Sequence, residues 1–159
     1  MNITILAVGK IKEKFYRQAI EEFEKRLSRY CKLKIIEVAD EKTPDHAGKS
    51  LEMQIKEKEG NRLSAYIKED ATVWALAIEG NMLNSFEFAA KISSAGIAGY
   101  SHITFVIGGS LGLAPFILKR ANYIISFSNM TFPHQLIRVI LLEQIYRSYR
   151  IIKKEPYHK

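Results

Sequence analysis

Short apolar runs alternate along the chain with stretches whose apolar side chains recur every three or four positions. This pattern predicts strands separated by helices, an α/β domain with a mostly parallel sheet of five to six strands. Residues 3–8 predict a first strand. Phe15, Ala19, Ile20, Phe23 and Leu27 then form one helical stripe with charges elsewhere. A second strand is expected at 33–38, before a polar loop holding Pro44 and Gly48, and a highly charged helix at 51–67. The unbroken apolar run Val73-Trp74-Ala75-Leu76-Ala77-Ile78 predicts a third strand buried on both faces. A helix near 85–94 and a strand at 103–107 lead into Gly108-Gly109-Ser110-Leu111-Gly112. A short helix after Pro115 and a fifth strand at 123–127 follow. The last helix is entered through Pro133, at a position where a missing N–H is tolerated.

That last helix, 135–152, carries apolar side chains in nearly every angular sector. A helix covering one sheet leaves a polar face, so this pattern calls for a second partner. A twofold copy of the chain is the simplest one, and full enclosure within one chain is the alternative.

The 159 residues suit one domain, 1–159, with no repeat, low-complexity segment or linker. No apolar run reaches the roughly 18–20 residues of a membrane span, and no basic segment precedes the first apolar run. Membrane association and a signal peptide are therefore not expected. The single cysteine, Cys31, leaves no intramolecular disulfide and suits the cytoplasm. The net charge of +7 is uneven: from Lys119 onward eight Lys or Arg stand against two acids, a net of +6. A surface of that sign attracts a polyanion.

The glycines after the fourth strand place pliable backbone at the carboxyl edge of the sheet, where α/β folds bind ligands. They match neither G-x-G-x-x-G nor a P-loop, and by themselves fit a tight turn and a ligand loop equally. The loop Phe127-Ser128-Asn129-Met130-Thr131-Phe132 is more informative. Its Met and Phe side chains suit an apolar ring and its backbone groups suit that ring's polar edge, with no phosphate to neutralise. His134 reads as a cap, a core-edge residue or a functional group. Arg138 interrupts the most apolar arc near a helix N-terminus, where a cation is disfavoured, and so calls for an anionic partner, carboxylate or phosphate. Arg147 and Arg150 share a face with Glu143 and read as solvated. The tail Pro156-Tyr157-His158-Lys159 is either an inert terminus or an RNA-handling pair of stacking Tyr157 and titratable His158. His46, His102, His134 and His158 are scattered, so no metal site is expected.

Ala7-Val8-Gly9-Lys10, the run from Phe105 to Leu113, the segment from Phe127 to Gln135 and the Pro-Tyr-His tail resemble the ribosomal RNA large subunit methyltransferase H family. That family lies in the SPOUT superfamily of α/β-knot methyltransferases, and the likeness runs end to end. It implies a C-terminal trefoil knot, rare among folds, and a homodimer with the final helix at its interface. It also implies transfer of a methyl group from S-adenosylmethionine to N3 of the pseudouridine at position 1915 of 23S rRNA, in helix 69, on the ribosome. Carried over by position, the cofactor touches Leu76, Gly108, Phe127, Ser128, Asn129, Met130, Thr131 and Phe132. Tyr157 and His158 are then supplied to the partner's site. In that frame His158 is expected to be the general base, Tyr157 to position the RNA base, and Arg138 or Arg147 to hold phosphate or a developing oxyanion. The competing readings are a non-catalytic RNA- or ribosome-binding module and a flavodoxin-like nucleotide binder.

Overall fold

The computed structural model describes all 159 residues. Five strands, β1 (Asn2–Val8), β2 (Lys32–Val38), β3 (Thr72–Met82), β4 (His102–Ile107) and β5 (Tyr123–Ser126), form one sheet in the order β2-β1-β4-β3-β5. Every pairing is parallel. The helices are α1 (Lys14–Leu27), α2 (Lys49–Ser64), α3 (Ser85–Ile97), α4 (Pro115–Arg120) and α5 (His134–Ile152). All ten expected elements are present, and the sheet has five strands.

Alternation along the strands sorts side chains between two cores. Ile3, Ile5, Trp74, Ile103 and Phe105 pack with Leu141, Leu142, Ile145 and Tyr149 of α5, beside α1 and α3. Leu6, Val8, Val73, Ala75 and Val106 pack on the opposite face with Leu63 of α2 and Ile117 of α4. The molecule is three layers, with the strands' carboxyl ends gathered along one edge. α3 starts with a full capping box, in which the Asn84 side chain accepts from Glu87 N–H and the Glu87 carboxylate accepts from Asn84 N–H.

Two expectations about β3 need correction. Burial on both faces does not extend along the whole apolar run of β3, because Ile78 is 49% exposed. β3 outruns β4, whose pairing ends at Leu76↔Ile107, and its last residues project past the sheet edge. Polar Glu79, Gly80 and Asn81 suggest that the strand ends earlier. It continues to Met82 because it re-pairs with β5 after a bulge between Leu76 and Asn81. The apolar pattern of α5 is met in part by the chain itself. Within one chain none of its residues is fully exposed, because α1, α3 and the C-terminal tail cover much of the surface that its pattern left open.

Candidate active site

The ends of β3, β4 and β5 meet in a cleft of about 170 Å³. Two loops give it shape. In the first, a Cβ on Gly108 would sit 2.7 Å from the Gly112 backbone, Gly109 and Gly112 form a bridge, and Gly112 adopts φ +86°. The glycine run is therefore both a tight turn and a cleft wall. In the second, Ser126 Oγ donates to the Ser128 carbonyl at 3.0 Å and Met130 N–H donates to Ser128 Oγ at 2.9 Å. That pair of bonds holds an otherwise irregular loop.

Leu76, Gly108, Phe127, Ser128, Met130, Thr131 and Phe132 all line this cleft, whereas Asn129 is exposed and stands outside it. Ser110 of the glycine run lines it too, and so do Ile78, Ile107 and Ile137, which sequence reasoning did not single out. His134 also lines it, and it is not a cap, since the N-cap position of α5 is Pro133 and no side-chain capping bond is made there. Burial, and then the nearby Arg138 cation, make its imidazole harder to protonate than usual. No Lys, Arg, Asp or Glu lines the cleft. Such a pocket offers no counter-charge to a phosphate and suits an uncharged ring with a thioether-like tail.

Arg138 lies elsewhere. It is 1% exposed, its Nη1 donates to Glu37 Oε2 at 2.6 Å, and its Nη2 donates to the carbonyls of Val8 and Gly9 at 2.8 and 2.7 Å. The anionic partner called for by the sequence is therefore a carboxylate. With both terminal nitrogens held this way and its unpartnered Nε buried, the guanidinium is a clamp between α5, β1 and β2, not an open contact for RNA phosphate.

The tail is ordered on α5, so the face of Arg147, Arg150 and Glu143 is not simply solvated. Glu143 Oε1 accepts from Arg147 Nε at 3.0 Å and Nη2 at 2.5 Å, and from the Tyr157 hydroxyl at 3.1 Å. Arg147 Nη1 reaches His158 Nδ1 at 3.1 Å. Burial and the neighbouring Glu143 carboxylate hold the Tyr157 phenol above its usual range. Arg150 pairs with Glu155 and donates to the Pro156 carbonyl at 2.7 Å. Three of the C-terminal cations are thus ion-paired; Lys119, Arg120, Lys153, Lys154 and Lys159 have no carboxylate partner. None of Arg147, Tyr157 or His158 lines the cleft of its own chain.

A glycine-turned cleft at the carboxyl edge of a parallel sheet, with a long final helix packed beside it, defines a class. A family model described as predicted SPOUT methyltransferase matches residues 1–158, and the chain belongs to the SPOUT methyltransferases. Within them it is a member of the ribosomal RNA large subunit methyltransferase H family. Proteins of that name from Bifidobacterium adolescentis, Clostridium tetani and Clostridium perfringens are 65%, 61% and 58% identical to it over 159 residues, with both chains covered in full. A solved structure of a probable methylase family protein from Haemophilus influenzae Rd KW20 shares the fold with a TM-score of 0.58 at 12% identity. It covers 99% of this chain and 70% of its own.

Proposed function

We propose that this chain methylates large-subunit ribosomal RNA at N3 of a pseudouridine in helix 69 of 23S rRNA, with S-adenosylmethionine as donor, as a homodimer acting on assembled ribosomes in the cytoplasm. The family's C-terminal knot belongs to the same reading. The relatives' names support the RNA class, and a cleft with no cation to meet a phosphate supports a nucleoside donor over a nucleotide. One observation carries the dimer: the cleft and the Arg147–Tyr157–His158 cluster stand apart in a single chain. A second copy would bring one protomer's tail to its partner's cleft and complete the site.

Leu76, Gly108, Phe127, Ser128, Met130, Thr131 and Phe132 would hold the cofactor, their backbone groups reading its adenine edge while Ile107 and Phe132 exclude water. When bound, S-adenosylmethionine supplies a methyl group already activated as a sulfonium. The protein's part is chiefly orientation. Tyr157 stacks on or abuts the target base, His158 contacts its edge, and the unpaired lysines hold flanking phosphates.

Transfer of tritiated methyl to isolated 23S rRNA, large subunits and complete ribosomes tests this. Label is expected in complete ribosomes at the pseudouridine, and deletion of residues 156–159 is expected to abolish it with cofactor affinity nearly intact. A protein that takes up no S-adenosylmethionine by calorimetry, yet binds ribosomes, is a binding module instead.

A further inference from the structure

His158 meets an unusual partner. A guanidinium carries five N–H donors and no acceptor, and it stays protonated. With Arg147 Nη1 at 3.1 Å, His158 Nδ1 must present its lone pair, and the neutral ring then carries its proton on Nε2. Arg147 is not free to turn away, because Nε and Nη2 are both held by Glu143 Oε1. Its guanidinium also lies 4.8 Å from the centre of the Tyr157 ring. The imidazole plane is fixed in turn by Phe86, edge to face at 4.6 Å and 79°.

We propose that Glu143 and Arg147 are positioning residues that fix His158 as its Nε2–H tautomer, and that this N–H donates a hydrogen bond to a carbonyl oxygen of the target base. The inference rests on the reading above, in which the tail reaches the acceptor. N3 of a uracil-type ring lies between two carbonyls, so a donor beside it orients the nitrogen. The same donor stabilises the negative charge that spreads onto those oxygens when N3 loses its proton. A general base needs a free lone pair on the nitrogen that faces the substrate, and here the ring's one lone pair is given to Arg147. The N3 proton therefore passes to water, and the expectation that His158 removes it is replaced.

The wild-type protein gives the first test. Nitrogen-15 NMR of the imidazole, with His158 assigned by comparison with His158→Gln, is expected to show Nε2 protonated and Nδ1 bare. The reverse pattern overturns the proposal. In Arg147→Met the pattern is expected to move toward a mixture, and no movement removes Arg147 from the positioning role. The second test is activity on ribosomes. Glutamine carries an N–H donor near the place of Nε2 but is no base at neutral pH, so His158→Gln is expected to stay within about tenfold of wild type while His158→Ala falls by about a hundredfold. A general base contributes roughly 10²–10⁴-fold, so a folded His158→Gln as inactive as His158→Ala overturns the donor role alone. Full activity in His158→Ala overturns the tail reading beneath it.

Discussion

At the scale of single residues, two buried charges have opposite consequences. Arg138 satisfies a carboxylate and two carbonyls at once, and Glu37 Oε2 also accepts from Ile11 N–H at 2.8 Å. Arg138→Met strands all of these groups, and loss of one partner from a buried pair costs about 3 kcal/mol. Urea denaturation is expected to show a loss of that size, and a loss below about 1 kcal/mol would remove the clamp role. Glu59 is the reverse case. It is 3% exposed, one oxygen accepts from Glu41 N–H at 3.1 Å, and the other has no partner. Burial, above all, lifts its carboxyl over the usual range; the Glu41 N–H pulls it down and Asp40 pushes it up. A raised folded-state pKa means the folded protein holds the proton more tightly than the unfolded chain does. Its stability then falls as pH climbs from the ordinary glutamate value through the folded one. Glu59→Gln is expected to melt higher than wild type at about pH 8, with the gap closing near about pH 4. A gap independent of pH contradicts this. The need for an anion beside Arg138 was legible in the sequence. Which anion was not, because Glu37 is 101 positions away and only sheet register brings it there. Glu59 gave no signal at all, being one of many charges in a helix that read only as highly charged.

At the scale of elements, strand ends decide where the cleft lies. Gly80 is the residue on which β3 depends to run past its bulge, since a Cβ there would stand 2.7 Å from the backbone carbons of Ile124 and Ile125. Backbone on the far side cannot yield as a flexible side chain would. Gly80→Ala is expected to cost about 2 kcal/mol and to weaken S-adenosylmethionine binding several-fold by spreading β3 from β5. Unchanged calorimetric affinity in a destabilised variant would separate the bulge from the cleft. The strand cores and helix stripes could be read from periodicity, but this extension could not, because Glu79-Gly80-Asn81 is also how a strand stops. The tail was ambiguous for a similar reason. Its order comes from Tyr30, whose hydroxyl donates to Glu155, and from Arg150, which holds both Glu155 and the Pro156 carbonyl. Tyr30→Phe removes one of these ties. Faster proteolytic trimming after Lys153 or Lys154 is the expected result, with turnover falling and cofactor affinity kept; equal trimming rates would mean that Arg150 alone suffices.

At the scale of the whole molecule, the apolar pattern of α5 that suggested a second copy is partly answered by the chain itself, so the case for a dimer rests more on the site than on the helix. Ile78 and Met130 on the cleft, Met82 at the end of β3 and Phe86 against His158 remain 49%, 74%, 59% and 59% exposed. They are apolar side chains at both halves of the proposed site, left to water in a single chain. If those halves meet only across two copies, activity can be divided and restored. Gly108→Val drives a side chain into the Gly112 backbone and should disable the cleft while leaving a good tail; deletion of 156–159 should do the opposite. Each homodimer is then inactive. Mixed and allowed to exchange in equal amounts, half the dimers become hybrids, each with one intact cleft facing one intact tail. Transfer on the order of a quarter of wild-type activity is therefore expected, from random pairing of two kinds of subunit. Mixtures that stay silent, in hybrids verified by mass and by retained S-adenosylmethionine binding, would place cleft and tail chemistry within one chain. In that case the tail would have to leave α5 to act, and the bonds from Glu143 to Tyr157 and from Arg147 to His158 would be a resting state instead of the working one.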